Sequence, residues 1–268
     1  MSEALALYEL KSPAAIITLN RADKRNALSR PLIRALREAF ERARDDATAR
    51  CVILTGAGPV FCAGMDLAEL SDSLQAVSAG GTETVWDDAQ RLSGLYELIY
   101  TLPKPTIAAV NGAAVAGGAG LVTVCDLALA TPEARFGYPE VRRGLVAAMV
   151  MPHLLRHVGE RLARYLLLTG ELIDGVDACR AGLINEVAAA DELLPKALAW
   201  ARSLAEGGPQ ALARTKALLR QFSRQAVSVE ETARESAAPR LTEECQQGLR
   251  AFFAKQPAPW APGAPGLT

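Results

Sequence analysis

Three stretches of this sequence place glycine and other small residues directly after apolar runs, where backbone N–H groups are left free to point at a ligand. They are GAGPVFCAGMDL at 56–67, NGAAVAGGAG at 111–120 and RFGYPEVRRGL at 135–145. A Gly-rich turn taken alone has a plainer explanation, because tight turns need glycine on steric grounds. The third stretch adds a carboxylate, Glu140, directly behind Pro139. It reads either as a group able to move a proton or as a first-turn helix residue favoured by the dipole. Cys62 lies in the first stretch without an evident base beside it, so a nucleophilic thiol is not indicated. His153 and His157, the only histidines, stand four apart in PHLLRH. With no further ligand pattern around them they read as packing or surface residues, and no metal is expected.

Elements that could position these groups are legible in the apolar pattern. ALALYEL at 4–10 and AAIITLN at 14–20, separated by Lys11, Ser12 and Pro13, predict a hairpin. Ser29 can cap a helix with Pro31 in its first turn and Leu32, Leu36, Phe40 and Ala43 on one face. CVILT at 51–55, TIAAV at 106–110 and DLALA at 126–130 are continuous apolar runs of the kind that strands buried on both faces require. After about residue 158 strand signals nearly vanish, and ERLARYLLLTG, DELLPKALAWARSLAEG and PQALARTKALLRQFSRQ follow with helical periodicity. The reading is an α/β core over 1–200, a helical C-terminal region over 201–255 and a Pro-rich tail over 256–268 that is expected to be extended or disordered. Residues 71–85 predict a mobile loop or a poorly ordered helix near a site, or equally a plain surface insertion.

Composition narrows the function classes. The chain has 268 residues, half of them hydrophobic and 22% charged, which excludes a disordered or low-complexity protein. Twenty-nine Lys and Arg against 30 Asp and Glu leave a formal charge of −1, so there is no broad basic field for nucleic acid or an anionic membrane. Five cysteines without a CxxC pair indicate neither a disulfide framework nor a zinc knuckle. No run approaches the roughly 20 apolar residues of a membrane span, and the expected location is the cytoplasm.

Taken in order, LNRADKRNALS, FCAGMDL, LPKPTIAAVNGAAVAGGAGL, CDLALATPEARFGYPEVRRGL and AGLINEV resemble the crotonase superfamily, the enoyl-CoA hydratase/isomerase family, over roughly residues 5–255. The resemblance implies an enzyme acting on acyl-CoA thioesters, built as a crotonase-like spiral of β-β-α turns. Its helical C-terminal region would serve assembly into a trimer or a dimer of trimers. It implies no separate cofactor, since coenzyme A is part of the substrate.

Carried onto this sequence, the family motif makes the backbone N–H groups of Met65 and Gly117 an oxyanion hole for the thioester enolate. Fixed donors of this kind are each worth about 3 kcal/mol in a transition state. A helix opening at Gly117 would aim its positive end at the same oxygen. For the substrate, Lys24, Arg25 and Ala27 lie in the loop that wraps the adenosine phosphates, and Ala63 would offer its carbonyl to the adenine amino group. The basic pair reads equally as a solvated surface pair. Asp66 follows the oxyanion position and reads as structural rather than catalytic, while Tyr138 lines the acyl pocket, donates a hydrogen bond or is simply packed.

The hydratases of the family hold a water between two glutamates. Here the second is present as Glu140, but Gly120 occupies the position of the first. The aspartate that some relatives use farther on is replaced by Ala147 and Ala148. One carboxylate can still take a proton from one carbon and return it to another. A-G-G at 116–118 in place of three glycines also resembles certain enoyl-CoA isomerases. The expectation is therefore double-bond isomerisation or hydration of an enoyl-CoA with Glu140 as the single acid/base, and a glutamate restored at 120 is expected to raise hydration. Alternatives are a hydratase/lyase on a specialised acyl-CoA, or a non-catalytic CoA-binding protein of the same fold. A dinucleotide-binding dehydrogenase is disfavoured because no G-x-G-x-x-G follows the first strand.

Overall fold

The structure is a computed structural model and describes residues 4–78, 81–223 and 228–259. The chain opens on the antiparallel hairpin β1 (Ala6–Lys11) and β2 (Ala14–Leu19), with Ala6 opposite Leu19 and Lys11 opposite Ala14. Helix α1 (Arg30–Asp45) follows, and the Ser29 hydroxyl accepts the Leu32 N–H at 3.3 Å as the expected cap. Leu32, Leu36, Phe40 and Ala43 form its buried stripe. Phe40 is fully enclosed, so its truncation to alanine would cost about 3–5 kcal/mol.

From there a repeating unit is laid down. β3 (Cys51–Gly56) is followed by β4 (Val60–Cys62), β5 (Thr106–Val110) by β6 (Ala113–Val115), and β7 (Leu127–Ala130) by β8 (Arg135–Gly137). In each pair the first strand joins one sheet and the second joins another. A short turn rotates the chain, and a helical segment follows before the next pair. β9 (Leu172–Asp174) and β10 (Glu186–Val187) complete the sheets, whose orders are β1-β2-β3-β5-β7-β10 and β4-β6-β8-β9. This is the expected spiral of β-β-α turns. β3 and β5 are buried along most or all of their length, as their unbroken apolar runs require.

The helices after the strands are α2 (Leu67–Ser78), α3 (Glu83–Thr101), α4 (Gly117–Thr123), α5 (Met151–Thr169), α6 (Gly175–Arg180), α7 (Leu193–Glu206), α8 (Pro209–Phe222), α9 (Val229–Ala237) and α10 (Glu243–Phe253). Leu193, Ala197 and Ala201 of α7 cover the large sheet over Ile16, Ile53 and Ile107. The sequence reading differs in one place. The strands β9 and β10 lie in the region read as helical, because two- and three-residue strands are too short to show a period. Most of 71–85 is helical, the end of α2 and the start of α3, with residues 79–80 outside the described residues. The tail from residue 260 also lies outside them.

Candidate active site

The Gly-rich segments after β4 and β6 meet. Gly64 has φ +89°, a conformation open mainly to glycine, and an added Cβ would lie 3.0 Å from the Val115 carbonyl oxygen and 3.5 Å from the Gly117 nitrogen. That close approach sets the start of α4 against the residue that precedes Met65. Leu28 and Met65 form an isolated bridge that uses the Gly64 carbonyl and the Asp66 N–H, leaving the Met65 N–H uncommitted among the described residues. Gly117 is the first residue of α4, where no intrahelical acceptor exists for its N–H. Ala116 before it holds φ 53° and ψ −125°, strained for a residue with a Cβ. Ala116 is nonetheless fixed, because its N–H donates to the Gly137 carbonyl at 2.8 Å.

Met65 and Gly117 both line a cavity of about 130 Å³. Its walls come from the segment 63–70, from α3 through Leu92 and Tyr96, from Val115–Gly117, from 139–150, and from the C-terminal helices through Ser236 and Arg240. Glu140 enters it from the short 3₁₀ turn Pro139–Arg143, and its Oε2 is buried with no hydrogen-bond partner among the described residues. Burial pushes this carboxyl up to about 7, against the pull of its own backbone N–H and of the Arg143 and Arg240 charges. A carboxyl poised near neutrality can both accept and release a proton.

A family model described as enoyl-CoA hydratase/isomerase matches residues 9–263. The chain belongs to the enoyl-CoA hydratase/isomerase family. A Thermus thermophilus member is 41% identical, covering 92% of this chain and 97% of its own. The 2,3-dehydroadipyl-CoA hydratase of Escherichia coli is 34% identical over 90% of this chain and 92% of that one. Among solved structures, an enoyl-CoA hydratase from Mycobacterium avium superposes with a TM-score of 0.81 at 32% identity, covering 97% of this chain and 100% of the other.

Within this enoyl-CoA hydratase/isomerase chain, Gly120 is closed off from the cavity. A Cβ there would fall against the Tyr96 hydroxyl, 2.6 Å from its Cζ and 2.8 Å from Val150 Cγ1. Tyr96 in turn donates to the Gly117 carbonyl at 2.6 Å, tying α3 to the start of α4. Gly120 is thus tightly packed and does not line the cavity. Tyr138 is fully buried beneath the cavity wall and does not line it.

Asp66 is also turned inward. It pairs with Arg21 and accepts the Ala68 N–H at 2.9 Å, closing the first turn of α2. Burial would raise its carboxyl, but Arg21 and the Glu69 and Ala68 N–H groups outweigh that and hold it below its ordinary value. Arg21 donates to the Ala27 carbonyl at 3.1 Å as well, so Ala27 is buried scaffold rather than cavity wall.

The loop carrying Lys24 and Arg25 is zipped onto the segment 63–66, with the Ala63 N–H donating to the Arg25 carbonyl at 3.0 Å and the Leu28 N–H to the Gly64 carbonyl at 2.7 Å. Asn26, at φ 52° and fully buried, knots it by donating to the Ala57 and Val60 carbonyls at 2.9 and 2.7 Å. Lys24 and Arg25 are left exposed, and Ala63 stands exposed on the cavity wall. Met65, Gly117, Glu140 and Ala63 are therefore brought together, with the basic pair held beside them.

Sequence reasoning passed over Tyr96, Arg143 and Arg240, all of which line the cavity. Tyr96 sits in an apolar helical stripe that reads as packing, and Arg240 lies far along the chain with no motif around it. Arg143 lay in view within RFGYPEVRRGL without a partner to suggest a role. The remaining side chains in question have ordinary duties. Burial pushes the Cys62 thiol up to about 12. His153 packs edge-on against Tyr100, and His157 Nε2 lies 2.9 Å from the Thr123 carbonyl.

Proposed function

We propose that the chain moves a double bond within an enoyl-CoA, with the Met65 and Gly117 N–H groups holding the thioester oxygen and Glu140 carrying the proton. The observation that supports this most is the unpartnered Oε2 of Glu140 in the same cavity as the two uncommitted N–H groups. Ionised Glu140 takes a proton from C2 of a 3-enoyl thioester. The electron pair moves onto the thioester oxygen and is met there by the two donors. The same carboxyl returns the proton at C4 as the electrons flow back, leaving the double bond between C2 and C3. No second carboxylate lines the cavity among the described residues, and this sequence of steps needs none.

Hydration by the same carboxyl is the second reading, favoured by the hydratase names of several relatives at 33–36% identity, the Escherichia coli protein among them. The hydroxycinnamoyl-CoA hydratase-lyase of Pseudomonas fluorescens, 34% identical over 78% of this chain, keeps hydration coupled to bond cleavage in view. Lys24 and Arg25 would meet the CoA phosphates, with Ala63 at the adenine. The reading also carries a homotrimer or dimer of trimers, and Leu168 of α5 with Leu219 and Phe222 of α8 stand exposed as apolar surface for it. No helix among the described residues is long and apolar enough to cross a membrane. The deciding experiment incubates the protein separately with a 2-enoyl-CoA and a 3-enoyl-CoA and follows both the isomer and the 3-hydroxy product. Interconversion of the two enoyl thioesters without a hydroxy product supports isomerisation. A hydroxy product formed faster than the isomer overturns it in favour of hydration.

A further inference from the structure

The cavity contains more positive charge than its own carboxyl balances. Arg143 and Arg240 both line it, facing the single carboxyl of Glu140, and neither forms an ion pair among the described residues. Arg240 is nine-tenths buried, and among the described residues its Nε has no partner and its Nη2 reaches the Met65 sulfur at 3.3 Å, a weak acceptor. Asp88, whose charge also acts on Arg240, is already held by Arg30 at 2.7 Å and Arg91 at 3.0 Å. Arg143 lies over the Phe252 ring at 4.3 Å and spends one Nη on the Pro139 carbonyl at 3.3 Å, leaving its buried Nε without a partner. The rest of the wall is largely aliphatic, including Leu70, Leu92, Leu145 and Val150.

Buried charges are ordinarily paired, and a guanidinium presents a fork of donors matched to a carboxylate. A purely hydrocarbon acyl chain would leave both arginines unsatisfied and remove what water reaches them. We infer that the acyl chain this cavity takes ends in a carboxylate, which Arg240 receives with Arg143 beside it, so that the preferred substrates are CoA monothioesters of short dicarboxylic acids. The inference rests on the reading of the cavity as an acyl-CoA site and adds the chemistry at the far end of the chain. It assigns Arg240 to specificity, since the guanidinium touches the substrate away from the reacting carbons.

Unreactive thioesters test this apart from turnover. Adipyl-CoA and hexanoyl-CoA have the same chain length and differ in a terminal carboxylate against a methyl, and their Kd values are measured calorimetrically on the wild type, Arg240→Met and Arg143→Gln. The wild type is expected to bind adipyl-CoA at least about tenfold more tightly, the size of one charge-assisted hydrogen bond. Arg240→Met should reverse that ratio, and Arg143→Gln should reduce it. Wild-type protein that binds hexanoyl-CoA as tightly or more tightly overturns the inference while leaving the acyl-CoA reading in place. Binding of neither thioester overturns both. Should Arg240→Met fail to fold, the wild-type ratio and the Arg143→Gln ratio decide. A variant that weakens both thioesters equally shows that the arginines act on the site as a whole, against the inference.

Discussion

The Tyr96 hydroxyl lies where a side chain on Gly120 would have to begin, and it is held there by its hydrogen bond to the Gly117 carbonyl. The absence of a glutamate at 120 is therefore built into the packing of α3 on α4. Restoring the carboxylate means displacing a buried ring that is also hydrogen-bonded to the Gly117 carbonyl.

Gly120→Glu is accordingly expected to destabilise the protein, not to create a better hydratase, contrary to what the sequence alone suggests. Overpacking costs about 1–3 kcal/mol and a buried unpaired carboxylate adds several more. Thermal unfolding checks the first part and a 2-enoyl-CoA hydration assay the second. A folded Gly120→Glu protein that hydrates faster than wild type would show that Tyr96 gives way.

Glu140→Gln should keep the affinity for a CoA thioester and lose at least about 100-fold in turnover, because the amide preserves the shape and removes the base. Stopped assays alongside thioester binding separate the two effects. Retention of more than about a tenth of the rate would remove Glu140 from the chemistry.

The same carboxyl makes stability depend on pH. Its value rises from 4.5 to about 7 on folding, so between those two pH values the folded chain holds a proton that the unfolded chain has released. Stability therefore falls as pH rises through this window, by a total on the order of 3 kcal/mol. Glu140→Gln cannot titrate and should be more stable than wild type at pH 8, with the advantage shrinking toward pH 4.5. Denaturant unfolding at pH 5 and pH 8 measures it, and equal differences at both would contradict a raised carboxyl.

Much of this site was legible because it is made of backbone. The strands β3, β5 and β7 announce themselves by unbroken apolar runs and the glycines that follow them mark where N–H groups come free, while the resemblance to the family motif is what put forward Met65, Gly117 and Glu140, which line one cavity here. What escaped depends on contacts between distant elements. Tyr96 against Gly120, Arg21 against Asp66, and Arg240 against Met65 join residues 24, 45 and 175 positions apart, and no local pattern encodes such pairs. Tyr138, read as acyl-pocket lining or simply packed, proved to be packed for the same reason. Its neighbour Glu140 faces the cavity, while the ring points back into a core that only tertiary packing defines.

Gly117→Pro tests the oxyanion donor directly. Proline deletes the N–H, and it also disfavours the conformation of Ala116, whose ψ of −125° lies outside the extended range that a following proline prefers. Gly117→Ala is the companion. Its Cβ would sit 3.1 Å from Leu28 Cδ1 and 3.2 Å from the Tyr96 hydroxyl, a tight fit that retains the donor. Loss of one such donor is worth about 100- to 1,000-fold in kcat. The proline variant should fall by at least that much and the alanine variant by clearly less, with both checked for native circular dichroism and assembly state. If folded Gly117→Pro turns over at the rate of Gly117→Ala, the N–H of residue 117 does not hold the thioester oxygen, and Met65 would have to act with a donor elsewhere on the cavity wall.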